Sequence, residues 1–118
     1  MAKASMTFPR RGDVWLMDLD PTRGHEQGGF RPALVVSDDL FNQGPADLCI
    51  VVPITSRLRP IPSRIRISPP ESGLDLESAV ICEAVRSVAK DRLTRRIGAI
   101  RPASMRGVED ALRILMKL

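Results

Sequence analysis

Short apolar runs recur along this chain, separated by polar stretches that carry glycine or proline. Residues 14–19 follow Gly12-Asp13 and predict a strand, with Trp15 as a core or interface anchor. Residues 32–37 are apolar and β-branched, the signature of a central strand. Residues 48–54 predict a third strand. Pro53 has no N–H to give to a ladder, so it marks a bulge or the strand's emerging end, with Thr55 and Ser56 just beyond. Residues 63–68 alternate strictly, with Ile65 and Ile67 facing in and Arg64 and Arg66 facing out. Residues 78–82 read as a buried strand and residues 96–100 as a short last one. Residues 38–42 read as a helical turn broken by Gln43-Gly44-Pro45, and residues 90–95 as a turn. From Pro102 onward Met105, Val108, Leu112 and Leu115 recur at helical spacing, flanked by Ala111 and Met116. The pattern is mainly β with a C-terminal helix. It suggests a small, partly open barrel, and spacing alone does not separate an SH3-like barrel from an OB-fold.

Length and composition narrow this picture. At 118 residues the expectation is a single domain over residues 1–118, with a flexible tail over 1–9 and the helix over 102–118. A hydrophobic content of 43% excludes compositional disorder. No run of about 18 apolar residues predicts a membrane span, and residues 1–7 lack the apolar stretch of a signal peptide. Cys49 and Cys82 fall inside apolar runs and read as buried, reduced thiols of a cytoplasmic protein. The net charge of +4 comes from the last third: residues 81–118 hold nine basic and four acidic side chains. A second basic cluster is Arg57, Arg59, Arg64 and Arg66, with no acid among them. Most of the basic residues are Arg, which grips phosphate bidentately, so a polyanionic partner is expected. With four aromatics and no Tyr, a broad base-stacking platform is not.

Candidate chemistry concentrates between the first two strands. Residues 20–32 hold the only His, an adjacent acid, Gly24, Gly28, Gly29, Arg23 and Arg31. Permissive backbone and titratable groups make a poor core and a good binding loop. Asp18, Asp20, His25 and Glu26 could suggest a metal, but one His without HxH or HxxxH spacing does not make a site. No metal or cofactor is expected.

The segments Gly12-Asp13-Val14-Trp15, then residues 20–27 and Arg31-Pro32-Ala33-Leu34-Val35-Val36-Ser37 resemble the start of the MazF/PemK toxin family. Phe41-Asn42, Val52-Pro53-Ile54-Thr55-Ser56 and Cys82-Glu83-Ala84-Val85-Arg86-Ser87-Val88 continue the resemblance in order. Motifs in register over about residues 10–100 are specific where one alone is weak. The resemblance implies an SH3-like barrel of the CcdB/MazF type and a homodimer. It also implies a metal-independent endoribonuclease that cuts single-stranded RNA at short sequences, silenced by a cognate antitoxin with an acidic, partly disordered tail. A CcdB-like poison that binds a protein target such as DNA gyrase, without nuclease activity, is the alternative. Arg31 and Thr55, both present, speak for the nuclease.

The resemblance places a catalytic Arg at Arg31 and an active-site Thr at Thr55. A guanidinium can stabilise charge on phosphoryl oxygens, and a hydroxyl can donate to one. The competing roles are an ion pair of Arg31 with Glu26 or Asp20, and a Thr55 that satisfies its own backbone. Glu26 is a candidate base or, more conservatively, an orienter of Arg31, because an unshifted Glu is a weak base at neutral pH. Glu83 matches an Asp that one family branch uses as a base. That branch has Arg two positions earlier, where this chain has Ile81. His25, Gln27, Ser56, Arg57 and Arg86 complete the set as substrate contacts, with an ion pair as the other reading of Glu83 and Arg86.

Overall fold

The computed structural model describes residues 8–18 and 29–118. Within them the order is β1 (Asp13–Asp18), β2 (Phe30–Val35), α1 (Asp39–Asn42), β3 (Leu48–Thr55), β4 (Arg64–Ile67), β5 (Ser78–Ile81), β6 (Arg86–Ala89), β7 (Leu93–Ala99) and α2 (Pro102–Met116). Residues 1–7 of the expected tail, and Asp20, His25, Glu26 and Gln27 of the first loop, lie outside the described residues.

All ladders are antiparallel, in the order β4-β5-β3-β2-β1-β7, with β6 added to β3. The organiser is β3. One edge pairs with β2, while the other pairs first with β6 (Leu48 to Val51) and then with β5 (Ile54 and Thr55). Pro53 sits where the partner changes. A residue without an N–H is tolerated there because that edge has no ladder bond to fill. The end strands β4 and β7 are not paired with each other, so the barrel is open. A 3₁₀ turn at Glu71–Gly73 packs on β7, and α2 packs on β4.

Alternation along β1, β2 and β3 feeds two cores. Val14, Leu34, Val52 and Ile54 join Ile67, Val80, Val108 and Ala111 on one face. Trp15, Met17, Ala33, Val35, Cys49 and Val51 join Val88 and Leu93 on the other. With both faces buried, residues 33–36 read in sequence as an unbroken apolar run. Trp15 is a core residue rather than an interface anchor. Its Nε1 donates to the buried Asp13 carboxylate, which also accepts from the Arg10 amide and Arg96 Nε.

Two expected boundaries move. β2 begins at Phe30, ahead of Pro32, because β1 still pairs there: Asp18 with Phe30 and Met17 with Arg31. β7 begins at Leu93 rather than Arg96, after a 3₁₀ turn at Lys90–Arg92. Two register shifts in the β1–β7 ladder break the alternation that would have revealed it. In α2, Val108 and Ala111 are buried and Met105 and Leu112 pack against them, but Leu115 and Met116 are exposed. No described helix is long and apolar enough to cross a membrane.

Candidate active site

The β2–β3 register brings the first two candidates together. Ala33 faces Pro53, Leu34 faces Val52 and Val35 faces Val51. Continued by two residues, that register sets Arg31 opposite Thr55, where the ladder ends and side chains turn from core to solvent. Both line a cleft of about 510 Å³, with Pro32, Ile54, Ser56, Leu74, Asp75, Leu76 and Ser78. A contiguous hollow of about 420 Å³ adds Arg57 to Arg31, Thr55 and Ser56. Arg31 pairs with Met17 on its other side, and the paired strand ends Asp18 and Phe30 lie one step further along the same ladder.

Thr55 has a definite polarity. Its Oγ1 accepts the Arg57 amide at 3.0 Å. The expected self-satisfying turn is therefore present, and it occupies only a lone pair. The hydroxyl proton remains to be donated, as an anionic ligand requires. Of the basic cluster, Arg64 pairs with Glu83 and Arg66 with Glu77, contrary to the expectation of an acid-free patch. Among the described residues Arg57 and Arg59 form no ion pair.

Glu83 and Arg86 lie elsewhere. Glu83 sits in a 3₁₀ turn at Cys82–Ala84, four residues past Ala79, the partner of Thr55. Neither it nor Arg86, which pairs with Val51, lines the Arg31 cleft. The Glu83 carboxylate accepts Ser63 Oγ at 2.5 Å and Arg64 Nε at 2.8 Å. The Ser63 hydrogen bond, helped by the backbone and the Arg64 guanidinium, holds its carboxyl below the usual Glu value. Arg64 also stands opposite Ile81 in the β4–β5 ladder. The cation that the sequence lacks at position 81 is thus supplied to Glu83 from the neighbouring strand. Nothing in residues 63 and 64 alone signals this, because the pairing spans about 20 positions.

The far wall of the cleft is Leu74, Asp75, Leu76 and Ser78. The loops over residues 57–62 and 69–76 are those expected to shape the cleavage sequence, but no single residue of this wall stands out in the sequence. Both thiols are buried, and burial pushes Cys49 up and Cys82 up to about 11, so neither is a nucleophile at neutral pH. No group of three His, Cys, Asp or Glu among the described residues is placed to hold a metal.

The profile of a family described as PemK-like, MazF-like toxin of type II toxin-antitoxin system matches residues 10–116. Endoribonuclease MazF9 of Mycobacterium tuberculosis is 37% identical over 114 residues, covering 92% of this chain and 97% of that protein. Endoribonuclease EndoA of Bacillus subtilis is 35% identical, covering 92% and 95%. In three dimensions the chain is similar to MazF of Deinococcus radiodurans, with a TM-score of 0.80 at 26% identity over 95% of this chain and 99% of that one. It is also similar to a mycobacterial endoribonuclease solved in complex with its cognate antitoxin, with a TM-score of 0.77 at 26% identity, covering 93% and 96%.

Proposed function

Since this chain belongs to the PemK-like, MazF-like family of type II toxin–antitoxin toxins, we propose that it is a cytoplasmic endoribonuclease that cuts single-stranded RNA without a metal. The observation that carries this reading is the convergence of Arg31 and Thr55 across β2 and β3 in one cleft. Arg57 and Ser56 extend it along the path of an RNA backbone.

In this reading the ribose 2′-oxygen attacks the adjacent phosphorus and the bond to the 5′-oxygen breaks. The products are a 2′,3′-cyclic phosphate and a 5′-OH, the departing 5′-oxygen taking its proton from solvent. Negative charge grows on the phosphoryl oxygens, where the Arg31 guanidinium and the Thr55 hydroxyl proton stabilise it. Glu26 orients Arg31 or takes the 2′-OH proton, and His25 and Gln27 contact substrate from the same loop. Glu83 is the weaker base candidate here, since its lone pairs are engaged by Ser63 and Arg64 and its proton affinity is lowered. We assign it and Arg86 to support of the neighbouring surface. Growth inhibition follows from loss of intact message.

Assembly belongs to the same proposal. α2 exposes Ile114, Leu115 and Met116 near the chain end, an apolar patch suited to a second copy in a homodimer. An antitoxin with an acidic tail would compete with RNA for Arg31 and Arg57. The test is incubation of the pure protein with a long RNA in EDTA, followed by end-group analysis. Cyclic phosphate and 5′-OH ends are expected, and an RNA with 2′-deoxyribose at the mapped site should stay intact. A strict Mg²⁺ requirement would contradict the mechanism.

A further inference from the structure

The cleft that holds Arg31 and Thr55 has a second wall of different character. Leu74, Asp75 and Leu76 stand there beside the strand end Ile54 and Ser78. This wall is fixed from several directions. Gly73 and Gly98 allow backbone to touch backbone: a Cβ on Gly98 would lie 2.6 Å from the Ser72 carbonyl oxygen. A Cβ on Gly73 would lie 2.5 Å from the Ile97 oxygen. The Arg101 amide donates to Glu71 at 2.7 Å, and the buried Ser78 hydroxyl donates to the Leu76 carbonyl at 2.9 Å.

Two acids lie on this segment, and they differ. Glu77 accepts from Arg66 and Ser68, so its charge is spent within the fold. Asp75 is exposed in the cleft and has no hydrogen-bond or ion-pair partner among the described residues. A bare carboxylate beside a phosphate site repels the RNA backbone, and it offers only acceptors. It is suited to the parts of a nucleotide that present donors, of which the base edge offers more than the single ribose hydroxyl. Leu74, Leu76 and Ile54 supply apolar surface for the base face, and Leu76 is 64% exposed.

We infer that Asp75 is a base-reading residue: it accepts N–H bonds from the amino-bearing Watson–Crick edge of one nucleotide next to the cut. Guanine, adenine and cytosine carry an exocyclic amino group, whereas uracil's one Watson–Crick donor, N3–H, stands between two carbonyl oxygens that repel a carboxylate, so this position selects against uracil. Single-stranded RNA leaves that edge open to a side chain. A good base contact of this kind typically discriminates by about tenfold or more. The inference rests on the ribonuclease reading, since it needs a phosphate held at Arg31 and Thr55.

The experiment maps the fragment ends of one long RNA in EDTA for the wild type, Asp75→Asn and Asp75→Ala. Matched short RNAs that differ only at the implicated base then give the ratio of kcat/KM. The wild type should deplete uracil at one position beside the cut, with a ratio of about tenfold or more. Asp75→Ala should bring that ratio below about threefold while preferences at other positions persist. Asp75→Asn, which adds donors to an acceptor, should shift the preferred base. If the wild type cuts but both variants keep its base preferences, Asp75 does not read the base, and the ribonuclease reading stands. If a folded Asp75→Ala protein cuts no RNA, Asp75 serves the reaction itself and the inference fails. If the wild type makes no cut in EDTA, the reading and the inference fall together.

Discussion

In the proposed mechanism the Thr55 hydroxyl has two roles. The oxygen accepts the Arg57 amide, which leaves the hydroxyl proton to be donated. Thr55→Val should therefore lose about 10- to 100-fold in cleavage, the usual weight of a hydrogen bond to a charged group. Stability should fall by less than about 1 kcal/mol, because the released Arg57 amide is exposed to water. Thr55→Ser should keep most of the rate, and single-turnover assays on both variants check this. Glu83 carries a different expectation. Its folded pKa is depressed, so its ionised form stabilises the fold above the unfolded value of about 4.5 and that stabilisation is lost as pH falls through the folded value. Glu83→Gln should thus melt below the wild type at pH 7, and the gap should close in acid. A gap that persists in acid, below the folded value, would show that charge is not what Glu83 contributes. The sequence made Arg31 and Thr55 visible because short local motifs frame them. It hid Arg64, whose partner is distant in the chain and whose own strand reads as a plain alternating one.

Among the elements, β3 shows why boundaries were harder to read than identities. Its apolar run announced a strand, and Pro53 announced a disturbance. The change of partner from β6 to β5 at that point is a long-range fact that no local pattern carries. The same holds for β7, whose bulges erase the alternation over Thr94, Arg95 and Arg96. The segment over residues 71–76 reads in sequence as a turn-rich loop that would shape cleavage specificity, but which of its residues face the cleft depends on backbone contact with β7. That contact can be tested at Gly98, where any added Cβ meets the backbone of Ser72 and Gly73 within 3.0 Å. Gly98→Ala should destabilise by about 1–3 kcal/mol, the cost of overpacking a closed contact. It should also loosen the cleft wall and weaken base discrimination. Chemical denaturation and a cut-site map read the two effects, and wild-type stability would show that the two backbones are not tightly held.

For the whole molecule, the +4 charge, the open cleft and the bare end of α2 point in one direction. Ile114→Asp should convert a micromolar dimer to a monomer by sedimentation, since it places a charge on the apolar patch. A wild-type protein already monomeric and fully active would remove the assembly proposal. RNA affinity should fall with added salt, as phosphate contacts by Arg31 and Arg57 release counterions. In the proposed mechanism Arg31 stabilises charge on the scissile phosphate. That role is tested most directly by the single-turnover cleavage rate of Arg31→Lys in EDTA, measured on protein with a wild-type melting temperature. Lys keeps the charge but not the planar fork. A loss of about 10²–10³ in rate with the fold intact is expected, and cleavage by that protein within about threefold of wild type would contradict this role of Arg31.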